Sequence, residues 1–146
     1  MSKEVPSEEI DQILEETRVV IPGTEIFLAF QLGAIFSEVF QSLSSAYKQI
    51  HICSFVLVTI SIIILISIAP YHRIREQGKN TSRTLRYANN MLLISMFVMA
   101  TGISVDIWLV CAIATSTTLA WYIAVGVWAL AMLVWFVLPY YRKEVA

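Results

Sequence analysis

Four long apolar stretches take up most of this chain, and nearly every cationic residue lies in the segments that would share one membrane face. The stretches are 23–41, 50–69, 88–114 and 119–138. A helix rises about 1.5 Å per residue, so about 20 apolar residues cross a hydrocarbon core of about 30 Å. Of the 146 residues, 58% are hydrophobic and 14% charged, and only helices or closed barrels satisfy their own backbone in lipid. The pattern predicts an all-α integral membrane four-helix bundle of two helical hairpins over residues 22–146. A short cytoplasmic amphipathic helix in the acidic segment 1–21 precedes it.

The second and fourth stretches are each followed by a proline, Pro70 or Pro139, which suits a helix end because proline cannot donate the next backbone hydrogen bond. The first stretch is less pure, holding Glu25, Gln31 and Glu38. The third is longer than one crossing needs, so it tilts, stands proud of the bilayer, or breaks near 102–106. With four crossings, one side holds Lys3, Arg18, Arg73, Arg75, Lys79, Arg83, Arg86, Arg142 and Lys143, and the other holds Lys48 alone. Cationic segments resist translocation, so both termini and the basic loop 70–87 are expected in the cytoplasm. The acidic, polar opening 1–16 is unlike a secretory signal.

The N-terminal segment is rich in Glu and Asp, whereas the central loop is basic through Arg73, Arg75, Lys79, Arg83 and Arg86. The loop is expected to meet anionic headgroups, which attract each nearby cation by about 1 kcal/mol, or else the acidic segment. In that segment Ser7 is positioned as an N-cap and Ile10, Ile13 and Leu14 recur on one helical face. Its polar face is acidic, so packing against the protein's own cytoplasmic end or a partner is favoured over the membrane surface. Pro22 and Gly23 form the expected joint before the first crossing.

Ionisable and polar groups within spans are the usual pointers to function. Thr24, Gln31 and Glu38 recur every seventh residue and form a polar stripe that should turn from lipid, either into helix packing or towards a polar path. Asp106 shares a face with Ser95 and Gly102, and is the candidate outer acidic partner of Glu38. Trp121, Trp128 and Trp135 step by seven along the fourth stretch with Ala124 and Ala131 between them, a pattern that suits helix packing at Trp128 and the interfacial belt at the ends. The two halves also echo each other: the second and fourth stretches end in similar apolar-Pro-aromatic-basic exits, by duplication or by convergence.

No catalytic residue, metal site or cofactor is assigned. Cys53 and Cys111 have no C-x-x-C spacing, the two histidines are expected at opposite membrane faces, and no phosphate-cradling loop or nucleophile elbow is present. The motifs ETRVVIPG at 16–23, APYHR at 69–73 and WFVLP at 135–139 together resemble a family of small bacterial four-span inner-membrane proteins of unassigned function. Thr17 and Glu25 depart from that family's pattern, which has Leu and Gln there. The resemblance implies a bacterial inner membrane and supplies no activity. The expected role is a non-catalytic structural or interaction module, alone or as a homo-oligomer or with a membrane partner protein, and without nucleic acid. The alternative is a small oligomeric channel or transporter whose polar path is lined by the first transmembrane helix.

Overall fold

In the computed structural model, residues 7–75 and 81–142 are described, and no strand occurs among them. The chain folds as α1 (Ser7–Ala34), a short α2 (Glu38–Ser42), α3 (Ser45–Ile66), α4 (Ile68–Arg75), α5 (Ser82–Ala114), α6 (Thr117–Met132), a wide π turn (Leu133–Val137) and α7 (Leu138–Arg142). Lys79 and residues 1–6 of the acidic segment lie outside the described residues.

Three helical runs are long and apolar enough to cross a membrane: Ser45–Arg75, Ser82–Ala114 and Thr117–Tyr140. Among the described residues the first helix is not one of them, so length and composition show three of the four expected spans. The separate amphipathic helix is also not seen, because α1 runs unbroken from Ser7 through Pro22 to Ala34. It then ends short of 41, as Ser37 turns the chain and caps α2 by accepting from the Phe40 N–H. The loop expected over 70–87 is largely helical, being taken up by α4 and the start of α5. Pro70 does not end a helix; the break comes earlier, at Ser67, and the proline sits in the first turn of α4 where its missing N–H is tolerated. Pro139 follows the π turn in the same way.

The core is centred on α3 and α5, which make the most extensive pairing; α1 lies chiefly against α3, and α6 on α5. On α3 the residues His51, Ser54, Val58, Ser61, Leu65 and Ile68 continue a buried three-four spacing into α4. Facing them, α5 places Ala88, Ser95 and Gly102 at seven-residue steps. Small side chains let the backbones approach, as helix pairs without a hydrophobic drive between them require. At Gly102 the approach is closest, since a Cβ there would meet Val58 Cγ2 at 2.9 Å and the Ser54 carbonyl oxygen at 3.3 Å.

Paired residues fix an up-down order. Ser67 and Tyr71 meet Tyr87 at one end of α3 and α5, while His51 meets Asp106 towards the other. Trp108 meets Trp121, and Thr101 meets Trp128, so α6 runs antiparallel to α5. Exposed Arg73, Arg75, Arg83 and Arg86 therefore gather at the end opposite Lys48. Many hydroxyls, including those of Thr17, Thr24, Thr59, Ser61, Ser95 and Ser104, donate to carbonyls of their own helices, which lets polar side chains sit in apolar surroundings.

Candidate functional site

The end of α1, the start of α3 and the second half of α5 converge on a polar junction. Gln31, 2% exposed, donates from Nε2 to Ser54 Oγ at 2.7 Å, and Ser54 donates its single hydroxyl proton to the Gly102 carbonyl at 2.8 Å. That direction fixes the amide, because Ser54 has no second proton to give Gln31 Oε1. Gln31 Oε1 is buried without a partner.

One turn earlier on α3, His51 spans the same three elements. Its Nε2 lies 2.9 Å from the Gln31 backbone carbonyl and its Nδ1 lies 3.1 Å from Asp106 Oδ1. The Phe40 ring of α2 closes edge-on at 5.2 Å between centroids. The His51 and Asp106 side chains are 5% and 16% exposed.

Thr24 and Gln31 both point into protein, Thr24 reaching Met99 Sδ at 3.3 Å. Glu38 does not continue their stripe: α1 has already ended, and Glu38 is exposed on α2. The heptad spacing failed there because it assumed one helix through the turn at 35–37. Asp106 lies within unbroken α5 against His51, so the anticipated pairing of outer acids Glu38 and Asp106 is not formed. His51, which the sequence pattern did not single out as a site residue, is the side chain that joins the three elements at the junction. Its signal was the spacing to Ser54 and Ser61, which places a polar strip on α3 opposite Gly102 and Asp106.

Glu25 follows Thr24, whose contact with Met99 sets it level with the middle of α5, and its side chain is exposed on the surface of α1.

Beside α6, Trp108, Trp121 and Trp128 with Ile50, Thr101, Ser104, Val105, Ala124 and Val125 line a cleft of about 370 Å³. Trp128 Nε1 donates to Thr101 at 3.3 Å, and Trp108 Nε1 is buried without an acceptor. Among the described residues, no three His, Cys, Asp or Glu side chains come together as a metal site, and Cys53 and Cys111 are free thiols.

A family model described as "Family of unknown function (DUF6328)" matches residues 3–139. The chain belongs to that family. Membership in DUF6328 agrees with the resemblance to proteins of unassigned function and adds no activity to the junction. No curated protein and no solved structure matches this DUF6328 chain.

Proposed function

We propose that the protein is a non-catalytic interaction module of the bacterial inner membrane that works by associating with further copies of itself through α1. The observation that carries this reading is Glu25. From Leu14 and Thr17, which border a cleft with Leu65 and Ile68, to Gln31 beside Ser54, α1 follows α3 for about 17 residues, or about 26 Å of rise. A bilayer that surrounds α3 therefore surrounds α1, giving four crossings with both termini cytoplasmic. Glu25 then faces outward at mid-depth, where a carboxyl left against hydrocarbon costs several kcal/mol. A second α1 along this face takes the carboxyl out of contact with acyl chains, and Ala29 and Gly33, one and two turns further on, leave room for close approach.

The exposed Arg73, Arg75, Arg83 and Arg86, with Lys79, meet anionic headgroups on the cytoplasmic side. A small oligomeric channel or transporter is the second reading, favoured by the same outward Glu25, which in an oligomer would line a shared polar path. The path once assigned to Thr24 and Gln31 is occupied by their own hydrogen bonds.

Native mass spectrometry from lipid nanodiscs tests association directly. An oligomer that Glu25→Leu or Gly33→Leu reduces to monomer is the expected result, and a wild-type monomer at membrane density overturns the reading. Ion flux in liposomes that Glu25→Gln abolishes, with the oligomer intact, selects the channel instead.

A further inference from the structure

We propose that His51 and Asp106 form a proton-binding site, and that the bound proton latches the end of α1 to α3 and α5. The argument is one of donors and acceptors. A backbone carbonyl only accepts, so His51 Nε2, at 2.9 Å from the Gln31 oxygen, carries a hydrogen. In a neutral imidazole Nδ1 is then a bare lone pair, and it stands 3.1 Å from Asp106 Oδ1. Two lone pairs do not make that contact. One more proton lies between them, as imidazolium with carboxylate or as imidazole with carboxylic acid.

In either arrangement the pair is neutral. Loss of the proton to water leaves a net charge of −1 within the packed helices and sets two lone pairs against each other. Among the described residues no cation contacts the pair to offset it. The ionisable groups near His51 are Glu38 on α2, which is exposed, Lys48 on α3, whose Nζ is held at 2.8 Å by the Gln41 carbonyl, and Tyr47, whose ring lies on Trp108. From α1 the imidazole meets the Gln31 carbonyl, and from α5 it meets Asp106.

The mechanical consequence follows from where the bonds lie. Among the described residues, His51 to the Gln31 carbonyl and Gln31 to Ser54 are direct hydrogen bonds between α1 and α3. Both depend on the position of α3 at His51. Expelling the proton leaves one ring hydrogen for two acceptors, the Asp106 carboxylate and the Gln31 carbonyl, and the carboxylate draws it away from Nε2, so the His51 bond to α1 is lost and the end of α1 swings from α3. The site takes a proton as its only ligand, and it acts within one chain whether or not α1 also binds a second copy.

The test uses full-length protein in nanodiscs. In His72→Gln, His51 is the one imidazole, and its ¹⁵N spectrum reports which nitrogens carry hydrogen. A hydrogen on Nε2 together with a second proton shared at Nδ1 is expected, and it should leave as pH rises. A neutral ring protonated at Nδ1 and bare at Nε2 throughout overturns the site. For the latch, nitroxides on Leu32→Cys and Ile52→Cys, in a Cys53→Ser, Cys111→Ser background, report α1 to α3 separation by dipolar broadening. Broadening should fall as the proton leaves. Asp106→Asn, whose amide donates permanently to Nδ1, and Asp106→Ala, which leaves neutral His51 free to donate from Nε2 to the Gln31 carbonyl with no carboxylate opposing it, should both stay closed at every pH. Separation indifferent to the departing proton, or Asp106→Asn following the wild type, overturns the latch.

Discussion

Gln31 and Ser54 share one hydrogen bond, yet removing either side chain has different consequences. Ser54→Ala strands the Gln31 amide nitrogen beside an oxygen that is already unpartnered, and it also deprives the Gly102 carbonyl of a donor. Leaving buried polar groups unpaired costs about 1–3 kcal/mol. Gln31→Leu removes the orphan oxygen together with the bond, and Ser54 keeps Gly102 as its acceptor. The loss there is smaller, within about 1 kcal/mol, because an interhelical hydrogen bond in a membrane averages about 0.6 kcal/mol. Unfolding titrations in mixed micelles should rank Ser54→Ala as the less stable variant, and the reverse order would contradict the amide orientation described. Gln31 was legible as an inward residue from its spacing with Thr24, since a seven-residue step returns to one helix face. For His51 the spacing with Ser54 and Ser61 marks only the face of α3 on which it lies; its partners on α1 and α5 are brought to it by tertiary packing.

The α3 and α5 pairing is limited by backbone approach at Gly102. Gly102→Ala places a methyl 2.9 Å from Val58 Cγ2, and also within 3.3 Å of a backbone oxygen that has no side-chain freedom to yield. Overpacking of this kind costs about 1–3 kcal/mol. Adding Val58→Ala removes the nearer clash but not the Ser54 carbonyl contact. The double variant should therefore recover part of the loss and not all of it, a non-additivity that a thermal unfolding cycle in detergent reads directly. In α1 the opposite sign is expected. Pro22 withholds an N–H inside a continuous helix, a defect of about 3 kcal/mol in a helix interior, so Pro22→Ala should raise the unfolding temperature. A lowered one would mean that the proline shapes the packing of α1 on α3. The positions of α3, α5 and α6 were readable from apolar length alone. The end of α1 was not, because an apolar run continues through Phe36 and Val39 while the backbone turns at Ser37, a residue whose capping role depends on geometry rather than hydropathy.

For the whole molecule, antiparallel order places the connections at 35–44 and 115–116 at one end and the basic segments at the other. In a background without native cysteines, Ser116→Cys should react with impermeant maleimide in intact cells, and Arg83→Cys only after the cells are permeabilised. Labelling of Arg83→Cys from outside would invert the proposed orientation. Charge segregation was evident along the sequence, since Lys48 stands apart from all other cations. The bundle itself was only partly foreseen: α6 buries just Ala120 and Ala124 and packs on α5, so the four long helices do not enclose a common centre. Apolar stretches define which segments enter lipid, but every face of such a segment looks equally able to pack, and the Trp-lined cleft and outward Glu25 arise from a choice among those faces.

The 33 residues of α5 reach about 50 Å, well beyond a hydrocarbon core of about 30 Å. The central helix is thus a mast taller than the hull it stands in. Thicker or thinner lipid can ride up or down its length while Gly102 and Asp106 keep their neighbours, so changes in acyl-chain length should be absorbed as immersion depth and lean rather than as a rearranged interior.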